Sequence, residues 1–170
     1  LSTDTIDAAA EAIVKKSGHK VYKFTREYIT ALKEEGYFLL AVSGSHQEIA
    51  EPFAELYGFD DCIGTIFERK GSSYTGGILR HVPSQKAELV KQFIKKHDFT
   101  SKDSIAVGDS MSDVSMLEIV EKPLAFNPAH DLLKIAQERG WEIVVERKNV
   151  AYRLRREKNG TYLLAEADQL

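Results

Sequence analysis

The chain has 170 residues, of which 43% are hydrophobic and 29% charged, with a formal net charge of −3. This composition predicts one globular domain with a buried core and argues against a nucleic-acid-binding surface or an acidic tail. Cys62 is the single cysteine, which excludes a disulfide framework and a thiolate zinc site, and no apolar run approaches the ~20 residues that a membrane-spanning helix needs. We therefore expect a soluble, cytoplasmic protein that binds neither nucleic acid nor membranes.

Apolar residues recur at helical spacing in six segments of the chain. Ser2, Thr3 or Asp4 is suited to cap the first helix, whereas Pro52 lies inside the third, where proline weakens a helix. Ser84 is expected to cap the fourth helix, whose inward face carries Leu89, Val90, Phe93 and Ile94. The expected helices cover residues 8–14, 22–35, 47–57, 84 onward, 112–120 and 129–139.

Short apolar runs between these helices predict strands. Tyr37–Val42 is apolar throughout, which is typical of a strand buried on both faces of a parallel sheet. The last two strands are expected to form an edge hairpin around Asn159-Gly160. The expected strands cover residues 37–42, 62–67, 74–79, 104–107, 124–126, 141–145, 152–155 and 161–164. Because strands and helices alternate, the sequence predicts βαβ units and a doubly wound, mainly parallel sheet of the α/β class.

Two acidic residues follow the strand at 104–107. Asp109 comes directly after this strand, where open parallel sheets bind ligands, and Asp113 follows at the expected start of a helix. Carboxylate oxygens are ligands that Mg²⁺ prefers. The alternative interpretation is structural, because aspartate is also common in turns and helix caps.

Ser43-Gly44-Ser45 follows the strand at 37–42 and is expected to form a turn at a helix N-terminus. Its hydroxyl and backbone N–H groups could bind an anion there, or Ser43 could simply cap the helix. Lys86 lies in the first turn of a helix, where the helix dipole disfavours a cation. Such a lysine could meet a bound anion, although surface lysines are common.

These segments together resemble motifs of the haloacid dehalogenase superfamily, closest to its phosphoserine-phosphatase-like branch. Leu40–Ser45 resembles the second family motif, the segment around Lys86 the third, and Val107–Asp113 the fourth. The hairpin at 74–78 and the segment 125–128 also resemble this branch, and the likeness covers about residues 20–146.

The resemblance implies a three-layer Rossmann-like fold and a Mg²⁺-dependent phosphatase that acts on a small phosphorylated metabolite. Ser43, Lys86 and Asp109 would be catalytic, and Gly44 would join Ser43 and Lys86 in binding phosphate. Asp109 and Asp113 would hold or orient the metal. Asn127, at the end of the next strand, could contact the substrate.

One family motif is absent from the sequence. Family members carry a first strand that ends in Asp-x-Asp, whose first aspartate forms an aspartyl-phosphate, but no Asp-x-Asp precedes Ser43. We therefore expect the nucleophile strand on a segment outside these residues, and we expect this chain alone to be inactive. The expected divisions are the end of a helical cap at 1–20, the family core at 21–149 and an edge hairpin at 150–170.

Two other functions stay open at the level of the sequence. A non-catalytic domain of this fold could bind phosphate or a partner without performing the reaction. A nucleotide-binding α/β domain of another family is a weaker alternative, because the sequence has neither Gly-x-Gly-x-x-Gly nor a Gly-x-x-x-x-Gly-Lys-Ser/Thr motif.

Overall fold

The structure, a computed structural model, describes residues 2–18, 20–147 and 150–169. The chain divides into two compact units, Leu1–Gln85 and Lys86–Leu170, each of which has its own sheet. The expected divisions at 1–20, 21–149 and 150–170 stay predictions, and residue 149 lies outside the described residues.

Within its described residues the first unit has three α-helices and three strands. Helix α1 begins after Ser2, whose hydroxyl accepts a hydrogen bond from the Thr5 amide, so Ser2 is the cap among the three predicted candidates. Strand β1 is parallel to β2, and β2 and β3 form an antiparallel hairpin, in the order β1-β2-β3. The elements are α1 (Thr3–Ser17), α2 (Lys23–Glu34), β1 (Leu40–His46), α3 (Gln47–Leu56), β2 (Asp61–Lys70) and β3 (Ser73–Arg80).

The prediction for β1 was wrong at both ends. The strand begins at Leu40 because the Leu39 amide is taken by the Asp60 carboxylate at 2.7 Å rather than by a neighbouring strand. It continues to His46, so the expected turn at residues 43–45 is part of the strand. Pairing with β2 is nevertheless irregular there, because Val42 pairs with Ile63 and His46 with Thr65. The advance of four residues from Val42 to His46 on β1 is thus matched by an advance of only two residues on β2, so the segment 43–45 forms a bulge.

The described part of the second unit has three α-helices and a five-stranded sheet. Strands β4, β5 and β6 are parallel, and β6, β7 and β8 continue as an antiparallel meander in the order β4-β5-β6-β7-β8. Gly140 ends α6 in the left-handed conformation (φ 72°), which glycine adopts without strain. The elements are α4 (Lys86–Lys96), β4 (Ile105–Gly108), α5 (Val114–Leu117), β5 (Lys122–Phe126), α6 (His130–Arg139), β6 (Glu142–Arg147), β7 (Val150–Arg156) and β8 (Tyr162–Gln169).

Two further predictions were wrong. Ser84 lies in a separate 3-10 turn (Val82–Ser84), where its hydroxyl contacts the His81 ring, and it does not cap α4. The helix expected at 112–120 is a 3-10 turn at Met111–Asp113 followed by the single turn of α5. Strand β7 pairs with both β6 and β8, so β8 is the edge strand.

The predicted α/β class is confirmed. Three parallel crossovers, β1-α3-β2, β4-α5-β5 and β5-α6-β6, follow the predicted alternation of strands and helices. In the second unit the side chains packed between sheet and helices are fully buried: Leu117, Leu124, Leu132, Ile143 and Val144. Among the described residues no helix has the length and apolar character needed to cross a bilayer.

Candidate active site

A buried ion pair joins the start of α4 to the turn after β4. The Lys86 Nζ atom donates a hydrogen bond to Asp113 Oδ1 at 2.5 Å, and the two side chains are only 10% and 6% exposed. The apolar side chains expected inside α4 are only half-buried, so Lys86 is its most buried residue. A buried lysine is stable when a carboxylate compensates its charge, and Asp113 meets that need.

The second carboxylate oxygen of Asp113 holds the turn after β4 in shape. It accepts hydrogen bonds from the Asp109 amide at 3.1 Å, the Ser110 amide at 3.0 Å and the Ser110 hydroxyl at 2.9 Å. A Cβ atom on Gly108 would lie 2.4 Å from the Asp113 Cβ, so this close approach requires glycine. Asp113 therefore orients the backbone that carries Asp109.

These contacts keep Asp113 ionised. Burial raises the pKa of Asp113, but the hydrogen bond and charge of Lys86 and the donors of Ser110 outweigh it and hold the pKa below 3.8. The carboxylate is thus charged at neutral pH, and both of its oxygens are engaged.

Asp109 is the exposed acid of this turn. It follows the last residue of β4, and its carboxylate makes no hydrogen bond or ion pair to the described residues. Its backbone carbonyl accepts a bond from the Ala129 amide at 2.8 Å, which ties it to the loop after β5. Asp109 is therefore available to a ligand while its backbone is fixed.

Asn127 lies in that same loop after β5. Its side-chain oxygen accepts a hydrogen bond from the Glu146 amide at 2.9 Å, and its backbone adopts a positive φ of 43°. Asparagine tolerates this conformation better than most residues. The side-chain oxygen thus ties this loop to β6, and a substrate contact of Asn127 stays a prediction.

The oxygen donors of this turn fit Mg²⁺ in chemistry. No group of three metal-ligating side chains is found within residues 2–18, 20–147 and 150–169. Mg²⁺ nevertheless needs only one or two carboxylates when water and phosphate oxygens complete its octahedron. Asp109 has an exposed carboxylate of this kind, and a direct metal contact of Asp109 or Asp113 stays a prediction.

Ser43 and Gly44 lie in the bulged segment of β1, in the first unit. The Ser45 amide donates to the Ser43 hydroxyl at 3.2 Å, and the hydroxyl of the buried Thr65 donates to the Gly44 carbonyl at 2.8 Å. Helix α3 begins only at Gln47, so Ser43 does not cap it. Thr65 was not singled out from the sequence, because nothing in its strand distinguishes it from a core residue.

Ser43 also borders a largely apolar cavity of about 570 Å³. Alternate residues of β1 form one wall, and apolar side chains of α1 and α3 form much of the rest. The β1 wall consists of Ala41, Ser43 and Ser45, and the facing side chains include Ile13, Ile49 and Phe53.

The candidate residues thus fall into two local groups. Lys86, Asp109 and Asp113 are brought together within the second unit, and Ser43 and Gly44 within the first. That Ser43 shares one phosphate with Lys86 and Asp109 stays a prediction from the motifs.

Comparison with known proteins identifies the family. The sequence profile of the family described as haloacid dehalogenase-like hydrolase matches residues 2–118. The chain is 29% identical over 126 residues to a phosphoserine phosphatase of Mycobacterium tuberculosis, covering 73% of this chain and 41% of that protein. It is 31% identical over 117 residues to a phosphoserine phosphatase of Archaeoglobus fulgidus, covering 68% of this chain and 34% of that protein. The chain therefore spans less than half of the length of these relatives.

Solved structures agree with this assignment. A Bordetella pertussis protein of unknown function has a TM-score of 0.75 and 26% identity, over 84% of this chain and 67% of that one. A phospho-aspartyl intermediate analogue of phosphoserine phosphatase has a TM-score of 0.59 and 26% identity, over 72% of this chain and 57% of that one. The chain belongs to the haloacid dehalogenase-like hydrolase family, as the segments around Ser43, Lys86 and Asp109 predict.

Proposed function

We propose that the protein is a Mg²⁺-dependent phosphatase that hydrolyses a small phosphorylated metabolite. The observation that carries this proposal is the buried Lys86–Asp113 ion pair, which orients a turn that presents the free carboxylate of Asp109 at the end of a parallel strand. Ligands bind at this end of the strands in open α/β sheets. The phosphoserine phosphatases among its relatives support the choice of reaction.

Each candidate residue has a role that its contacts allow. Lys86 donates one of its three N–H bonds to Asp113, so the others remain to neutralise phosphoryl oxygens. The Ser43 hydroxyl and the Gly44 backbone would bind the phosphate. Asp109 would hold Mg²⁺, which when bound offsets the charge of the phosphoryl group. Such fixed charges stabilise the transition state without reorganisation.

We infer that the nucleophile belongs to a strand outside residues 1–170. In the proposed reaction an aspartate oxygen attacks phosphorus, the bond to the substrate oxygen breaks, and water then releases phosphate from the aspartyl-phosphate. The solved phospho-aspartyl intermediate analogue of phosphoserine phosphatase supports this course of reaction for a structural relative. Without the nucleophile the chain alone would bind phosphate but not hydrolyse its esters.

The free edges of two strands support the docking of such a segment. Among the described residues β1 pairs only with β2, and β4 only with β5, so each has one edge without a strand partner. Buried backbone groups without partners cost roughly 1–3 kcal/mol each. An extended segment could pair with β1 and place apolar side chains in the adjoining 570 Å³ cavity.

The test uses the product of the whole gene, Mg²⁺ and p-nitrophenyl phosphate. We expect hydrolysis that depends on Mg²⁺, and we expect Asp109→Asn to lower kcat about a hundredfold or more. Asp103→Asn is the matched control, because Asp103 is an exposed acid just before the same strand and pairs with Lys122 at the surface. An active Asp109→Asn variant would refute the assigned role of Asp109.

The same assay separates the non-catalytic alternative. If the product of the whole gene binds inorganic phosphate but hydrolyses no phosphomonoester, the domain is a binding module. Residues 1–170 expressed alone should be inactive in either case, so activity of this fragment would refute the inferred external nucleophile.

A further inference from the structure

His46 is held by aromatic side chains directly after the bulged segment that carries Ser43. Its ring stacks on Phe67 at a centroid distance of 4.0 Å and an interplanar angle of 18°. The Tyr74 ring meets it edge-on at 5.7 Å and 88°. The β2-β3 hairpin therefore fixes the position of the His46 imidazole.

Two polar atoms in this cluster are buried without a hydrogen-bond partner in the described chain: His46 Nδ1 and Glu48 Oε2. They lie 3.7 Å apart. The other Glu48 oxygen accepts a hydrogen bond from Arg69, which also donates to the Tyr74 hydroxyl at 2.9 Å. Because buried polar groups are nearly always paired, an unpaired nitrogen facing an unpaired carboxylate oxygen requires an explanation.

A proton on Nδ1 provides that explanation. A protonated ring would direct an N–H bond at the Glu48 carboxylate, and its charge would be favoured by the face of Phe67. Histidine is the side-chain type that ordinarily changes charge between pH 5 and 8. Of the other groups that face the ring, Arg69 stays cationic, and burial and Glu48 raise the pKa of Tyr74, so it stays neutral. The charge of Asp7 in α1 raises the pKa of Tyr74 further.

His46 also fixes the end of the bulge. Regular pairing of β1 with β2 stops after Val42 and resumes at His46, which pairs with Thr65. Between them, Ser43 and Gly44 are held by the Ser45 amide and the Thr65 hydroxyl. An ion pair between the His46 ring and Glu48 would therefore hold the end of the segment that carries the proposed phosphate-binding groups.

We propose that His46 is a positioning residue for the Ser43–Ser45 segment, and that its ion pair with Glu48, formed when the ring carries a proton, strengthens the binding of a tetrahedral dianion. This inference rests on the proposed role of Ser43 in binding phosphate. It makes anion affinity, rather than the chemical step, depend on pH.

The test measures sulfate binding by calorimetry from pH 5.5 to 8 on the product of the whole gene. Sulfate is a tetrahedral dianion that does not itself titrate in this range. We expect binding to the unmodified protein to be about tenfold tighter at pH 6 than at pH 8, a difference of about 1.4 kcal/mol. His46→Phe preserves the stacking but cannot be protonated, so its affinity should be independent of pH. Glu48→Gln should flatten the pH dependence in the same way.

A second histidine offers a matched control. His97 also stacks on a phenylalanine, Phe93, at 4.3 Å, but it follows α4 in the other unit, so His97→Phe should leave the pH dependence unchanged. If His46→Phe and Glu48→Gln retain the pH dependence, the positioning role of His46 is wrong. Ser43→Ala tests the premise separately: unchanged sulfate affinity in that variant, or no binding to the unmodified protein, would overturn the proposed phosphate site itself.

Discussion

Lys33 and Asp60 form an ion pair that connects α2 to the loop before β2. The Lys33 Nζ atom lies 2.6 Å from Asp60 Oδ1, and the other Asp60 oxygen accepts the Leu39 amide at 2.7 Å. The same aspartate therefore anchors a helix and ends the loop that leads into β1. Because β1 carries Ser43, this contact lies at the base of the strand that presents a candidate phosphate-binding residue.

The Asp60 contact should make stability depend on pH. The Leu39 amide, followed by Lys33, holds the pKa of Asp60 below its ordinary value of 3.8. A carboxyl group with a lowered pKa in the folded state stabilises the protein above its unfolded pKa, and loses this effect as the pH falls through the folded value. We expect Asp60→Asn to lower the urea midpoint at pH 7 and to differ progressively less from the unmodified protein below about pH 4.

The control for this prediction is Asp98→Asn, which alters an exposed aspartate in the turn after α4. It should leave the urea midpoint at pH 7 nearly unchanged. If Asp60→Asn has the same midpoint as the unmodified protein at pH 7, the contact does not contribute to stability.

Removing the Lys86 charge should destabilise the second unit. Lys86→Met leaves the buried Asp113 carboxylate without its cation, and such a change costs about 3–5 kcal/mol. Lys91→Met alters an exposed lysine of the same helix and should change the free energy of unfolding by less than about 0.5 kcal/mol. The measurement is urea unfolding of both variants at pH 7.

Adding Asp113→Asn to the Lys86→Met variant distinguishes the loss of the ion pair from the loss of the packing of the Lys86 side chain. The asparagine keeps one oxygen for the amides of Asp109 and Ser110 but carries no charge. In the Lys86→Met background it should therefore recover part of the lost stability, since no buried carboxylate is left unpaired. Equal stability of Lys86→Met and Lys91→Met would show that the pair contributes nothing.

Much of the fold could be predicted from local patterns. The spacing of apolar residues indicates which face of a helix or strand is buried. This spacing was sufficient to predict the parallel crossovers and the helix that ends at Gly140. The ends of β1 could not be predicted, because they depend on contacts distant in sequence. Asp60 removes Leu39 from the strand, and pairing of His46 with Thr65 keeps a polar segment in it.

In the candidate site, too, local motifs could be predicted from the sequence, whereas contacts between distant residues could not. The residue types around Ser43, Lys86 and Asp109 were recognisable because each motif is contiguous. The pairing of Lys86 with Asp113 joins residues 27 positions apart, and the sequence alone suggested only that Lys86 meets an anion of the ligand. The His46–Glu48 contact was missed for a related reason: the residues that fix it, Phe67 and Arg69, come from a hairpin whose position the sequence does not reveal.

Cys62 should react slowly with alkylating agents. Burial, with smaller effects from Glu51 and Asp61, raises the pKa of the thiol from 9.0 to about 11. Because the thiolate is the reactive form, a difference of about two pH units lowers its fraction at pH 8 about a hundredfold. Iodoacetamide should therefore label the folded protein far more slowly than the unfolded protein.

Glu51→Gln removes a negative charge near Cys62 and should shift the pH dependence of the labelling rate to lower pH. Glu55→Gln alters an exposed residue of the same helix and should not shift it. A labelling profile centred at or below pH 9 would contradict this prediction, since it would mean that the half-buried thiol is solvated as in an unfolded chain.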